Sequence, residues 1–178
     1  MELKSGPGFR NMENEALVKE FNKIDPEGQN GEFTLLNLED CEVRLKGCLR
    51  ALFMDKLINC KVYVGAGMGS VWIEGAAGCV FVLASHQIRI HNAKSCVFYL
   101  RWRSRTIIED SSGVRFAPYR LSYGRIKKDL TETNLGKETG NWMNVDDFRW
   151  LRAVQSPNWS VLPENERIGM VDILNFDW

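Results

Sequence analysis

The sequence predicts an all-β fold, a parallel β-solenoid, and three observations carry that expectation. Short segments repeat at under twenty residues, apolar residues recur at period two within each repeat, and a small residue, mostly cysteine, opens each one. Aligning LEDCEVRL (38–45), LINCKVYV (57–64), AAGCVFVL (76–83), AKSCVFYL (93–100) and EDSSGVRF (109–116) puts Leu45, Val64, Leu83, Leu100 and Phe116 in one column, 19, 19, 17 and 16 residues apart. Val43, Val62, Phe81, Phe98 and Val114 form a second column, and Cys41, Cys60, Cys79, Cys96 and Ser112 a third. Columns at period-two spacing make one inward face. A second strand follows in each unit, marked by Leu52 and Met54, Val71 and Ile73, Ile88 and Ile90, then Ile108. Leucine-rich repeats need a longer Leu/Asn unit, and helical repeats are longer still.

Taken in order, residues 1–30 read as a lead-in with a short helix. Met1 to Gly8 shows no periodicity, while Glu13 to Phe21 places Leu17 and Phe21 four apart among helix formers, ahead of the breakers Pro26, Gly28 and Asn30-Gly31. Residues 31–120 are the β-core. Within it, Gly65-Ala66-Gly67-Met68-Gly69 lacks the register of a phosphate loop and no helical pattern follows, so it is expected to be a coil corner needing positive φ. Residues 121–178 are an aromatic-rich extension, with Trp142, Phe148, Trp150, Leu151 and Trp159. Val80, Val82, Val97 and Tyr99 alternate with the inward columns and would be bare outside, so the extension is expected to bury its aromatics against that wall.

Composition narrows the function. Twenty-three basic residues balance twenty-three acidic ones, which removes whole-chain attraction to nucleic acid or an anionic membrane. No apolar run approaches the ~18 residues of a spanning helix, and MELKSGPGFR is not a signal peptide, so a cytoplasmic protein is expected. Cys41, Cys48, Cys60, Cys79 and Cys96 contain no CxxC pair and fall in phase with the repeat; they read as buried reduced thiols, with no metal site or cofactor. Glu109 and Asp110 are adjacent on an extended segment and face opposite ways, unlike the facing carboxylates of a glycosidase. His86 and His91, five apart on a strand, also diverge.

Arg89 is the residue with chemistry to offer. Held between Ile88 and Ile90, which point inward, it must point out, with Gln87 and His91 beside it. A planar, always-charged fork on a rigid strand suits a transferring phosphoryl group. Glu109, outward one coil later, is expected to hold the guanidinium; spacing alone favours a surface ion pair of these two over a catalytic arginine. Arg101, Arg103 and Arg105 form a candidate contact patch nearby in coil order.

The runs ASHQIRIHNAKSCVFYLRWRSRTIIEDSSGVRFAPY and NWMNVDDFRWLRAVQSPNWSVLP closely resemble the C-terminal (cofactor C-like, or C-CAP) domain of the tubulin-folding cofactor C family, over about Gly31 to Pro163. The resemblance implies a right-handed parallel β-helix and GTPase activation rather than an enzyme acting alone. It implies GTP-bound β-tubulin as target, cofactors D and E as partners, and a cytoskeleton-associated location in the cytoplasm. Arg89 matches the family's arginine finger, with Gln87, Glu109 and His91 supporting it. His86-Gln87 stands where relatives carry two glutamines, and Thr106 where a proline is common. The family carries a helical region ahead of this domain, and fewer than about thirty residues precede the coils here, so an excised domain or shorter relative is expected. The alternatives are the same mechanism on an Arf-like small GTPase, and a non-catalytic actin- or tubulin-binding module.

Overall fold

A computed structural model describes residues 6–21, 31–47, 49–124, 126–132, 135–137 and 139–172. The chain is predominantly β, and every strand pair among the described residues is parallel. A first ladder runs through Gly8–Glu13, Glu32–Glu39, Leu49–Ile58, the end of Lys61–Ile73, Gln87–His91, Thr106–Glu109 and Val145–Asp147. A second runs through Ala16–Phe21, Glu42–Gly47, the start of Lys61–Ile73, Val80–Ser85, Val97–Trp102, Val114–Pro118 and Trp159–Val161. The strand path is open, ending at Gly8–Glu13 on one side and Trp159–Val161 on the other.

Period-two alternation places the core between the ladders. Leu35, Met54, Ile73, Ile90 and Ile108 stack in register on the first. Val43, Val62, Phe81, Phe98 and Phe116 do so on the second, and all ten side chains are at most 1% exposed. Phe81 lies flat on Phe98 with ring centroids 4.9 Å apart, and Phe98 on Phe116 at 5.4 Å. In-register stacking turns a sequence repeat into continuous apolar contact.

The register corrects the fifth line of the alignment. Phe116 pairs with Phe98, and Leu100 pairs with Pro118, so that unit slides by two residues and Val114 replaces Ser112 in the cysteine column. Corner geometry is the physical reason. Asp40, Asn59, Gly78, Ser95 and Gly113 all take left-handed φ, between 51° and 64°, immediately before Cys41, Cys60, Cys79, Cys96 and Val114. Asn, Asp and Gly tolerate that conformation best. The thiols seal the corners: Cys60 Sγ donates to the Leu38 and Ile58 carbonyls at 3.4 and 3.3 Å, and Cys79 Sγ to those of Leu57 and Ala77, both at 3.4 Å. Cys41, Cys60, Cys79 and Cys96 are free and buried; Cys48 lies outside the described residues.

Two further expectations fail. The N-terminal helix is instead the strands Gly8–Glu13 and Ala16–Phe21, because Glu32–Glu39 and Glu42–Gly47 each offer a parallel edge, and edge pairing overrides local helix preference. Phe9 and Phe21 then pack edge-on against Phe33, with centroids 5.2 and 5.3 Å away. Nor is the glycine-rich run a positive-φ corner. Gly65 and Gly69 sit within the continuous strand Lys61–Ile73 and serve close approach, since a Cβ on Gly69 would lie 1.8 Å from the Arg50 carbonyl oxygen and one on Gly65 2.5 Å from the Tyr123 hydroxyl.

The outer wall of the second ladder is covered, as the alternating valines require, but by other residues than the aromatic run. Tyr123, Leu130, Leu135 and Leu162 build a second core over Tyr63, Val82, Tyr99 and Ala117. The short helix Ile126–Glu132 belongs to this cover, and Val171–Asp172 pairs with Leu121–Ser122 to tie it down. Phe148 and Leu151, expected to be buried, are 66% and 93% exposed. Among the described residues no helix is long and apolar enough to cross a membrane.

Candidate functional site

Among the described residues nothing comparable covers the outside of the first ladder around Arg89, and the candidate site lies there. Strand Gln87–His91 buries Ile88 and Ile90 to 1% exposure, leaves Gln87 and His91 half-buried, and exposes Arg89. The inward isoleucines fix the backbone, so the outward arginine stands on a rigid base. Trp72 lies opposite it on one neighbouring strand and Ile107 on the other. The guanidinium carbon sits 5.2 Å from the centroid of the Trp72 ring.

The expected Arg89–Glu109 ion pair does not form. The paired strands are offset here by 18 residues, so Glu109, 20 residues on, lies opposite His91. Its carboxylate is taken by Arg149, at 2.9 Å. Arg149 also reaches Asp110 at 3.4 Å, and Asp110 meets His91 Nε2 at 3.1 Å, while His91 Nδ1 lies 3.2 Å from Glu74. A chain of contacts, Glu74–His91–Asp110–Arg149–Glu109, therefore runs through the carboxylates beside the arginine. The Arg89 side chain has no hydrogen bond or ion pair among the described residues.

Trp72, Glu74, Arg89, His91, Glu109 and Phe148 line a groove of about 350 Å³. Its apolar walls and its unneutralised, exposed guanidinium suit a partner that brings a phosphoryl or carboxylate group to the surface. Of the expected residues, Arg89, His91 and Glu109 meet in this groove and Gln87 does not line it; Gln87 lies opposite Ser70, and its carbonyl accepts a hydrogen bond from Ser85 Oγ at 3.2 Å. The three arginines of the expected patch each have a separate contact. Arg101 stands on the second ladder, 5.9 Å over the Tyr119 ring, Arg105 pairs with Asp146 at 3.0 Å, and the Arg103 carbonyl accepts from Asn141 at 3.2 Å. Arg101 lies on a different wall from Arg89, whereas Arg105 immediately precedes the strand Thr106–Glu109 that pairs with Gln87–His91.

Trp72, Glu74, Phe148 and Arg149 were not among the expected residues. For Trp72 a signal existed: Val71-Trp72-Ile73 has the same in–out–in pattern as Ile88-Arg89-Ile90, and alignment of those triplets places tryptophan beside arginine. Phe148 and Arg149 lie beyond the periodic region and carried none.

Comparison with known proteins adds independent information. The family model described as Tubulin binding cofactor C matches residues 30–148. The chain is 56% identical over 172 residues to Tubulin-folding cofactor C of Arabidopsis thaliana, covering 96% of this chain and 48% of that protein. It is 41% identical over 161 residues to Tubulin-specific chaperone C of Homo sapiens, covering 90% of this chain and 45% of that protein. The chain thus spans about half the length of the curated relatives it matches. A solved structure, Tubulin Binding Cofactor C from Leishmania major, superimposes with a TM-score of 0.63 at 24% identity, over 71% of this chain and 87% of that one, a likeness of fold.

Proposed function

We propose, because this chain belongs to the tubulin binding cofactor C family, that it is a GTPase-activating domain for β-tubulin and supplies Arg89 as an arginine finger. The observation that carries this reading is the state of Arg89: exposed on a rigid strand, ordered by a ring, and without a counter-ion. An arginine meant to stabilise the fold would hold a carboxylate, and the carboxylates around this one are held by Arg149 and His91.

In this role the domain is not an enzyme on its own. Its first ladder docks on GTP-bound β-tubulin, in the assembly with cofactors D and E, and Arg89 donates its N–H groups to the phosphoryl oxygens on which charge grows as the terminal phosphate leaves. The domain brings no bound cofactor to the reaction. The stacked parallel registers and left-handed corners support a right-handed parallel β-helix as the scaffold.

The test is single-turnover GTP hydrolysis in the tubulin–cofactor D–cofactor E assembly. Arg89→Ala should lose on the order of 10³-fold or more in rate; hydrolysis at the wild-type rate overturns the proposal. The same assay on Arf-like small GTPases separates the target from the mechanism.

A further inference from the structure

We infer that Trp72 is a positioning residue for Arg89, ordering the guanidinium by stacking while leaving its charge and its donors free. The inference rests on the reading of Arg89 as the finger. The two residues are in register on adjacent parallel strands, and each is anchored by inward neighbours, Val71 and Ile73 on one side and Ile88 and Ile90 on the other. Strands in a sheet are about 4.8 Å apart, so a flat guanidinium lies naturally over an outward ring on the next coil. The observed 5.2 Å is within the range of a cation–π contact, for which tryptophan is the best ring.

The choice of partner has chemical consequences. A carboxylate would order the arginine as well, but it would neutralise the charge and occupy two of the five N–H donors needed for a phosphoryl group. An indole face attracts the cation and leaves the in-plane donors available. The surrounding network makes this arrangement persist: Arg149 holds both Glu109 and Asp110, and Glu74 lies 3.2 Å from His91 Nδ1, so the neighbouring acids have other partners. Trp72 thus lowers the ordering cost of the finger without blocking it.

Two variants test this, Trp72→Leu, which keeps apolar bulk and removes the ring, and Trp72→Phe, which keeps a weaker ring. In the chain alone, proton–nitrogen spectra of arginine side chains should show the Arg89 Nε–H displaced by the ring current in wild type, partly displaced in Trp72→Phe, and at its ordinary position in Trp72→Leu. In single-turnover GTP hydrolysis with the tubulin–cofactor assembly, Trp72→Leu should lower the maximal rate roughly tenfold and leave the half-saturating concentration within about twofold, while Trp72→Phe restores most of the rate. Wild-type hydrolysis by Trp72→Leu, with Arg89→Ala inactive, overturns the positioning role and leaves the finger standing. Full activity in Arg89→Ala overturns the finger and the positioning role together, and the ring-current shift then reports only where the side chain rests.

Discussion

Arg89 and Glu109 stand on neighbouring strands but out of step: Ile107 is the residue opposite Arg89, and His91 the one opposite Glu109. This offset, together with the 2.9 Å contact between Glu109 and Arg149, separates the acid from the arginine it was expected to hold. Glu109→Gln should therefore change GTPase activation far less than Arg89→Ala does. It should also cost only about 0–1 kcal/mol of stability, since the pair with Arg149 is solvent-exposed. Urea unfolding alongside the hydrolysis assay checks both; a loss of activity comparable to that of Arg89→Ala would restore Glu109 as a direct partner.

Arg89→Ala should leave the fold intact. The side chain is exposed, and its contact with the Trp72 ring is worth about 0.5–1 kcal/mol at such a site. A thermal midpoint that drops by more than about 5 °C would mark Arg89 as structural instead.

Phe98→Ala should be severe. Its ring is fully buried between Phe81 and Phe116, so truncation removes both stacking contacts and leaves a cavity, an expected loss of about 3–5 kcal/mol in urea unfolding. A cost near 1 kcal/mol would show that the stack can collapse around the gap.

Stability should fall at alkaline pH. The hydrogen bond with Cys60 draws the Cys79 thiol down, but that with Cys96 and burial outweigh it and hold Cys79 up to about 11 against an ordinary 9.0. Cys60 is raised further, by its hydrogen bond with Cys79 and by burial, and burial raises Tyr119. For a group raised in the folded state, the unfolded chain loses its proton first. The contribution of Cys79 is therefore whole below about pH 9 and is lost as pH climbs toward 11, while Cys96, held low by its hydrogen bond with Cys79, offsets part of that loss. A urea midpoint constant between pH 8 and 10.5 would contradict this; Cys79→Ala should flatten the slope.

Gly69→Ala and Gly169→Ala should behave oppositely. A methyl group at Gly69 meets the Arg50 carbonyl oxygen at 1.8 Å and pushes two paired strands apart, at roughly 2–3 kcal/mol, while one at Gly169 meets nothing within 4 Å. Equal thermal midpoints for the two variants would refute the close-approach role of Gly69.

How much of this was legible follows from the physics of each signal. The inward columns of the second ladder, from Val43 to Phe98, are a period-two pattern repeated at nearly constant spacing, and they survive intact. The last unit slid by two residues because apolar columns alone cannot tell Val114 from Phe116; the left-handed corner at Gly113 does, and its counterparts Asp40, Asn59, Gly78 and Ser95 were visible as Asp, Asn, Gly and Ser before each column. Leu17 and Phe21 looked helical because a four-residue spacing satisfies two periods, and only the neighbouring strand Glu42–Gly47 decides between them. The outward direction of Arg89 was legible from Ile88 and Ile90. Its contact was not, since an error of two residues in register exchanges Ile107 for Glu109. Arg149, held at the site by contacts from outside the repeat, could not be placed by periodicity at all.

Among the described residues, the covered second wall and the grooved first wall give the domain a back and a front. Tyr123, Leu130, Leu135 and Leu162 occupy the back, so a partner engaging Arg89 must meet the front and can do so in a narrow range of orientations. A fluorophore attached at Lys128, on the exposed side of the rear helix, would thus report docking from behind without obstructing it, and the same position offers a point of immobilisation that presents every molecule face outward.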